Sequence, residues 1–232
     1  MGFYRGPNIV TDGLVFAIDA GSPRSYPGSG TTVKSLTNSI DGTLVNGVGF
    51  DNTNGGSWVL DGINDSISIG DPTDFQFGTG DFTLEAWFKP IETGNGWTGV
   101  ISKGASGNTG FAMNYRSYPG GPISLRMSID APNNSHYSSG NLTSGEIYHI
   151  VMVFDRDTAG FVYNNGELTH THTGVATQNQ SVDTSIQLRL GTYSGSSWFM
   201  EGNIYSVRAY NKILTADEVS QNYNAQKSRF GL

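Results

Sequence analysis

Residues 81–90 read Asp-Phe-Thr-Leu-Glu-Ala-Trp-Phe-Lys-Pro, and this stretch decides the fold. From Phe82 to Phe88 every second residue is apolar, and Thr, Glu, Trp and Lys occupy the positions between and after them. Alternation with a period of two predicts a β-strand with one face in a core and the other face wetter. Pro90 ends the strand because it cannot donate to a ladder. A strand of about 27 Å, at roughly 3.4 Å per residue, needs a broad sheet around it.

The rest of the chain supplies shorter runs of the same kind, about a dozen strands in all, separated by turn residues. Residues 57–60 and 66–69 are predicted to pair as a hairpin across residues 61–65. Asn165-Gly166 predicts a second, tight hairpin, since Asn-Gly is the strongest short hairpin signal. The continuous apolar run at 149–155 is typical of a strand covered on both faces. The pattern predicts an all-β fold, a two-sheet antiparallel jelly-roll β-sandwich.

One helix is predicted, close to the C-terminus. Thr215-Ala216-Asp217-Glu218 fits a capping box, with Thr215 as N-cap and Glu218 three residues later. A helix of about 11 residues is marginal by itself. We therefore expect it to dock Val219 and Tyr223 on a sheet edge.

Composition favours one acidic domain. The chain has 232 residues, 32 glycines, no cysteine and a net charge of −7. Because sandwiches of this length commonly form one domain, we assign residues 13–232 to a single domain after an N-terminal docking segment, 1–12. The negative charge disfavours nucleic-acid partners, and the absence of a run of roughly 20 apolar residues disfavours membrane insertion. Residues 1–7 have no apolar core of a signal peptide.

Several segments resemble laminin-G-like, concanavalin A-like lectin and glucanase jelly-roll domains. The matching segments, in the family's order, are Gly13-Leu14-Val15-Phe16-Ala17-Ile18-Asp19-Ala20-Gly21, Ser25-Tyr26-Pro27-Gly28, Gly42-Thr43-Leu44-Val45-Asn46-Gly47, Leu60-Asp61-Gly62-Ile63-Asn64-Asp65, Phe82 to Phe88 and Gly202 to Val219. Residues 31–39 depart from the family pattern, which often has Trp-x-Asp-Leu-Ser-Gly there. The resemblance implies the fold and leaves the function open.

The N-terminal residues Phe3-Tyr4-Arg5-Gly6-Pro7 more loosely resemble virion proteins of tailed bacteriophages. This resemblance implies a non-enzymatic virion surface protein, a capsid decoration protein or a fibre or tail-associated adhesion module. Its partners would be other virion proteins, copies of itself and host surface glycans, and its location the virion, after synthesis in the host cytoplasm. The alternative is a free-standing carbohydrate-binding lectin module, and a divergent glycoside hydrolase is the third hypothesis.

Catalytic patterns are absent from the sequence. Glycosidases need two carboxylates flanking the scissile bond, and the Glu-x-Asp-x-x-Glu run of related glucanases does not occur. Glu85 and Glu92 are separated by a proline, and Glu85 fits a polar strand face. No Gly-x-Ser-x-Gly elbow or phosphate-binding loop occurs either. We therefore expect no enzyme activity.

Four aromatic residues are candidates for contact with a sugar: Trp97, Tyr115, Tyr118 and Tyr137. They lie in or beside segments rich in Gly, Ser and Asn, where sugar C–H groups can stack on rings and hydroxyls can bond to amides. The alternative is that these rings close the ends of the sandwich or pack against another subunit.

Metal binding has two candidate positions. Asp61, Asn64 and Asp65, with Asp19 as a further ligand, offer the hard oxygens that calcium prefers, although such a loop is also an ordinary Asx turn. His170 and His172 have a spacing that can hold zinc, but a solvated strand edge is the simpler interpretation. We expect no required cofactor, with calcium as a candidate ligand, and we expect His149 to be a hydrogen-bonded structural histidine.

Overall fold

A computed structural model describes residues 7–37, 40–94, 96–104, 109–130, 134–193, 195 and 197–232. In chain order the strands are β1 Leu14–Asp19, β2 Thr32–Lys34, β3 Asp41–Val45, β4 Gly49–Asp51, β5 Ser57–Asp61, β6 Ser66–Gly70, β7 Phe82–Pro90, β8 Gly96–Lys103, β9 Gly110–Ser117, β10 Ile123–Asp130, β11 Asn134–Leu142, β12 Tyr148–Phe154, β13 Gly160–Asn164, β14 Glu167–His172, β15 Leu188–Leu190 and β16 Glu201–Tyr210. The α-helix, α1, is Ala216–Gln226, and short 3-10 helices lie at Thr53–Gly55, Thr73–Phe75, Thr173–Thr177 and Lys227–Phe230.

The strands form two sheets in which neighbouring strands run antiparallel. Sheet I has the order β14-β13-β12-β7-β16-β5-β4, and β1 pairs with the C-terminal half of β16. Sheet II has the order β11-β10-β9-β8-β15-β6-β3-β2. The predicted two-sheet antiparallel jelly-roll sandwich is confirmed.

The main core lies between the two sheets. Phe82 of β7 stacks on Phe154 of β12 with ring centroids 4.3 Å apart, and it meets Phe111 of the opposite sheet at 4.8 Å. All three side chains are almost completely buried. Each such ring stabilises the fold by about 1.5–3 kcal/mol through removal from water. Residues 82–88 thus provide the core face that their alternation predicts.

The opposite face of β7 is also buried, so the expectation that it is wetter is wrong. Thr83, Glu85 and Trp87 are all 0% exposed. The reason is the C-terminal segment: the ring of Trp87 stacks on Tyr223 of α1 at 5.8 Å and on Phe230 at 4.3 Å. Alternation shows which side chains share a face, but it does not show that a later helix will cover that face.

Helix α1 begins with the predicted capping box, since Thr215 and Glu218 each accept from the other's backbone N–H. The helix docks on the outer face of sheet I rather than on an edge. There Val219 packs in a second apolar cluster with Val151, Tyr210 and Val10.

The two predicted hairpins have different outcomes. The turn at Asn165-Gly166 joins β13 to β14 as predicted, with φ angles of 51° and 84° that suit a type I′ turn. The predicted hairpin across 61–65 is wrong, because β5 belongs to sheet I and β6 to sheet II. Both strands contribute apolar side chains to the shared core, so the chain arches from one sheet to the other. The apolar pattern of two short strands is the same for an arch and for a hairpin.

The predicted docking segment, 1–12, lies partly outside the described residues, which begin at Pro7. Within its described part, the N–H of Val10 donates to the Oδ1 of Asn222 at 2.8 Å, and Gln221 donates to the carbonyl of Asn8 at 2.7 Å. Residues 8–10 are therefore bound to α1. The docking role of this segment stays a prediction. Among the helices of the described ranges, none has the length and apolar character needed to span a membrane.

Candidate functional site

The outer face of sheet II carries an unusual group of rings and guanidinium groups. In β9 and β10 the apolar residues Met113 and Met127 face the core. The alternation therefore directs Arg116 and Arg126 outward. Register places Trp97 of β8 directly beside Arg116.

Trp97 is the centre of this group. The Cζ atoms of Arg116 and Arg126 lie 5.2 and 5.4 Å from its ring centroid, and Arg116 also lies 4.6 Å from the ring of Tyr118. These distances are those of cation–π contacts. The ring of His136, on β11, lies 4.6 Å from Trp97. We call the following seven residues the Trp97 cluster: Trp97, Arg116, Tyr118, Arg126, His136, Tyr193 and Trp198.

Tyr193 and Trp198 reach the cluster on the loop between β15 and β16. The ring of Tyr193 stacks toward Trp97 at 5.8 Å and contacts Trp198 at 5.8 Å. The hydroxyl of Ser102 donates to the Tyr193 carbonyl at 3.0 Å. Gly99 permits this approach, since a Cβ atom there would lie 2.4 Å from the carbonyl oxygen of the neighbouring loop residue, Thr192. The loop is therefore held against β8, beside Trp97.

Trp198 has a left-handed backbone conformation, with φ of 60°. For a bulky side chain this is an outlier that costs of order 1–3 kcal/mol, and such strain concentrates at functional sites. The strained residue is one of the rings of the cluster, and this coincidence favours a binding role for the face.

Below the rings lies a set of buried polar groups. The amide of Asn114 donates to the hydroxyl of Ser128 at 2.9 Å, and that hydroxyl lies 2.6 Å from the Nδ1 of His136. Burial and the positive charge of Arg126 lower the pKa of His136, so the ring is neutral at neutral pH. Ser128 is only 3% exposed and is held by two partners, which makes it a positioning group and not an accessible nucleophile.

The structure brings together two of the four predicted sugar-contacting residues, Trp97 and Tyr118. Tyr118 is 51% exposed, whereas Tyr115 is 1% exposed and faces the core. Burial raises the pKa of the Tyr115 hydroxyl. Tyr137 lies against the edge of the core and stacks on His172 at 5.2 Å. The ring faces of Tyr115 and Tyr137 are therefore not part of the outer face that Trp97 shares.

Sequence reasoning missed the other five residues of the cluster: Arg116, Arg126, His136, Tyr193 and Trp198. The two arginines carried a usable signal, because each occupies the outward-facing position of an alternating strand in a chain with few basic residues. The positions of His136 and Tyr193 depend on cross-strand register and on the path of a loop. Neither was readable from the sequence.

The four candidate calcium ligands lie in two separate environments. Asp61 accepts from the backbone N–H groups of Ile63 and Asn64 at 2.8 and 3.2 Å, as in an Asx turn. Asp65 is 3% exposed and accepts from the N–H of Asp61, and burial together with the charge of Asp61 raises its pKa. Asp19 instead forms an ion pair with Arg229 at 2.8 Å.

No group of three His, Cys, Asp or Glu side chains that could hold a metal occurs in the described ranges. His170 and His172, the predicted zinc pair, have ring centroids 6.0 Å apart and belong to no such group. Calcium binding stays a prediction.

A second cluster of polar groups is sealed under α1. Glu85 accepts from the Nη1 of Arg208 at 2.5 Å and from the amide of Asn222 at 2.7 Å, and it lies 3.1 Å from the Nε2 of His149. His149 is thus the structural histidine that was predicted. Burial disfavours the charged carboxylate, but the charge of Arg208 and the hydrogen bonds from His149 and Asn222 outweigh it and lower the pKa of Glu85 to about 2.

Comparison with known proteins agrees with the fold. The model of the family described as the concanavalin A-like lectin/glucanases superfamily matches residues 61–220. No curated protein sequence gives a significant match. The chain is similar to Trypanosoma rangeli sialidase in complex with the inhibitor DANA, with a TM-score of 0.67 and 16% identity over 95% of this chain and 34% of that one.

Two further similar structures are toxin binding domains. The binding domain of Paraclostridial Mosquitocidal Protein 1 has a TM-score of 0.70 and 16% identity, and the match covers 92% of this chain and 52% of that one. The binding domain of Botulinum neurotoxin serotype G has a TM-score of 0.69 and 13% identity, with 93% and 51% covered. The chain thus spans about a third of the sialidase and about half of each toxin domain, and at these identities the likeness shows the fold alone.

Proposed function

We propose a function from one premise: the chain belongs to the concanavalin A-like lectin/glucanases superfamily. It is a non-catalytic carbohydrate-binding module, and its binding site is the Trp97 cluster on the outer face of sheet II. The observation that carries this proposal is a group of aromatic rings, with Tyr118 exposed, that surrounds two arginines above a buried set of amide and hydroxyl groups.

The chemistry of the cluster suits a sugar. A pyranose presents C–H groups on one face and hydroxyls at its edges, so it binds where a ring lies next to polar groups. Tyr118, 51% exposed, offers the most accessible ring of the cluster. Trp97 was expected to stack on a sugar, but its ring is already in contact with two guanidinium groups and two other rings. Its main role is to position Arg116 and Arg126.

The absence of catalysis is part of the same proposal. A glycosidase needs two carboxyl groups about 5 Å apart, or further apart for inversion. The four strands that carry most of the cluster, β8 to β11, contain a single acidic residue, Asp130. Glu85, the carboxylate of the central strand, is sealed behind α1 on the other side of the molecule. Turnover on a panel of β-glucans that Asp130→Asn or Glu85→Gln removes would overturn this part.

The proposed setting is the surface of a tailed-bacteriophage particle. The support is the resemblance of the first residues to virion proteins, and the module would there contact other virion proteins, copies of itself and host surface glycans. Mass spectrometry of purified virions from the source tests this setting. Absence of the chain from the particles, with binding of purified protein to glycans, would favour a free-standing lectin module.

A glycan array with purified protein tests the binding function. We expect specific binding that Trp97→Ala abolishes and Tyr118→Ala weakens. Phe50→Ala is the matched control, because Phe50 is 36% exposed and lies on β4, in the other sheet. Circular dichroism and thermal melting establish that each variant is folded. A silent array, or binding that survives in Trp97→Ala, would overturn the assignment of this site.

A further inference from the structure

We propose that the saccharide bound at the Trp97 cluster carries an oxyanion, a carboxylate or a sulfate, which Arg116 and Arg126 hold. This inference rests on the proposed function, and it names the class of sugar. The supporting observation is that Arg116 and Arg126 have no carboxylate partner among the described residues.

Of the ten buried or partly buried lysines and arginines in the described ranges, four have carboxylate partners, and two more, Arg156 and Arg189, donate to carbonyl or amide oxygens. Lys103 pairs with Asp71 at 2.5 Å, Arg208 with Glu85 at 2.5 Å, Lys212 with Asp12 and Glu218 at 2.7 and 2.8 Å, and Arg229 with Asp19 at 2.8 Å. For Arg116 and Arg126, no ion pair with any described residue is present. The chain has a surplus of acidic residues, with a net charge of −7. Two unpaired arginines on one face therefore do not reflect a shortage of carboxylates.

The two arginines occupy neighbouring positions on adjacent strands and contact the same ring. Arg116 lies opposite Ser124, and Arg126 lies opposite Asn114, so the two arginines are diagonal neighbours on adjacent strands. Both Cζ atoms lie within 5.4 Å of the same indole centroid. Like charges on neighbouring positions of adjacent strands repel each other. The lowered pKa of His136 agrees with a positive local potential, because Arg126 contributes to it after burial. A bound anion would relieve the repulsion.

The guanidinium groups are held by rings and leave their donors free. The Nε atoms of both arginines are buried and have no hydrogen-bond partner in the described part of the chain. The terminal nitrogens likewise donate to no acceptor among these residues. The rings of Trp97 and Tyr118 both contact the guanidinium of Arg116 and use none of its hydrogen-bond donors. Because the Nε atoms are buried, the donors left for a ligand are the terminal nitrogens, whose planar fork matches the geometry of a carboxylate or sulfate.

The surroundings favour a saccharide over other anions. The exposed ring of Tyr118 and the polar set of Asn114, Ser128 and His136 lie on the same face as the two arginines. The exposed ring suits the body of a sugar, the buried polar set below holds His136 in place, and the arginines suit the acidic substituent of the sugar. A nucleic acid needs an extended basic surface, and the acidic chain does not provide one.

Isothermal titration calorimetry with three oligosaccharides of equal length tests the proposal: a neutral one, one containing uronic acid and one bearing sulfate. We expect an acidic probe to bind at least about tenfold more tightly than the neutral one, since hydrogen bonds to charged groups are the stronger ones. Whichever acidic probe binds better identifies the oxyanion. Affinity for it should fall as ionic strength rises from about 0.05 to about 0.5 M.

Variants assign the effect to the two arginines. Arg116→Gln and Arg126→Gln should each weaken binding of the acidic probe by about tenfold to a hundredfold and leave the neutral probe within about twofold. Arg24→Gln is the matched control, because it removes the same charge from an exposed arginine in a loop outside the cluster. Arg116→Lys keeps the charge and loses the fork, so it should recover only part of the affinity.

The outcomes separate this inference from the proposed function. Equal binding of neutral and acidic probes, or unchanged binding in both Gln variants, would overturn the oxyanion and leave the carbohydrate site standing. No binding of any saccharide would overturn both. Binding of single-stranded DNA as tightly as the better acidic probe would replace the saccharide with a nucleic acid.

Discussion

The outer faces of the two sheets differ in whether their charged side chains have partners of opposite charge. On sheet I, the carboxylate of Glu85 is 0% exposed and contacts Arg208, His149 and Asn222. On sheet II, Arg116 and Arg126 share one indole ring and have no carboxylate partner among the described residues. Burial of a charged group costs much free energy unless the group is paired and hydrogen-bonded. The first face therefore satisfies its charges internally, whereas on the second face the proposed oxyanion of a bound saccharide would supply the counter-charge.

The helix explains the difference. Helix α1 and the residues after it cover the outer face of sheet I, and they supply one of the groups that Glu85 requires, the amide of Asn222. No described element covers the Trp97 cluster in the same way, and Tyr118 remains 51% exposed. Removing a charge should therefore cost stability on the first face and ligand affinity on the second.

The largest effect is expected from Glu85→Gln. The substitution leaves Arg208 buried without its counter-charge, and breaking a buried pair typically costs about 3–5 kcal/mol. Urea unfolding followed by tryptophan fluorescence measures the change in the free energy of unfolding. Glu167→Gln, at an exposed position of β14, removes the same charge and should cost less than about 0.5 kcal/mol. Equal effects of the two substitutions would show that the Glu85 cluster contributes nothing special.

Acidification should affect the same cluster. The pKa of Glu85 is lowered from 4.5 to about 2. Because the folded-state pKa lies below the unfolded value, the contribution is complete above about pH 4.5 and is lost as the pH falls toward 2. At about 1.4 kcal/mol per pKa unit, the loss is roughly 3 kcal/mol. Urea titrations at several pH values measure it. Glu85→Gln should flatten this part of the profile, and a profile as steep as that of the original chain would assign the loss to other carboxylates.

The sequence allowed prediction of the parts of the fold that depend on neighbouring residues. Period-two alternation predicted β7, the Asn165-Gly166 pair predicted a hairpin, and Thr215 with Glu218 predicted the start of the helix. Burial of the second face of β7 could not be predicted, because its cover comes from Tyr223 and beyond, more than a hundred residues later. The same limit applies to the binding face.

Only two of the seven residues of the Trp97 cluster were predicted from the sequence, for a related reason. Trp97 and Tyr118 were candidates because ring and loop composition identified them. Arg126 and His136 join them only through the register of β8 to β11, and register depends on tertiary pairing that single-strand patterns do not contain. The hairpin wrongly predicted across residues 61–65 has the same origin, since pairing partners must be chosen among strands of similar pattern.

A smaller effect is expected from Thr215→Ala. The change removes the N-cap acceptor of α1, the helix that covers the outer face of sheet I, and loss of such a cap costs about 1 kcal/mol. Thermal melting measures it, with Thr79→Ala, at an exposed turn position, as the control. Saccharide affinity should not change, because α1 lies on the opposite sheet from the Trp97 cluster. An altered affinity would mean that the two faces are coupled.

The smallest effect on stability is expected from the double substitution Arg116→Gln and Arg126→Gln. It forfeits cation–π contacts of about 0.5–1 kcal/mol each at partly exposed sites. It also removes the repulsion between neighbouring cations and two buried Nε donors that lack partners in the described residues. These contributions have opposite signs, so we expect the free energy of unfolding to change by less than about 1 kcal/mol while affinity for the acidic saccharide is lost. A loss of several kcal/mol would instead make the two arginines structural, as Arg208 is, and the contrast between the two faces would then be false.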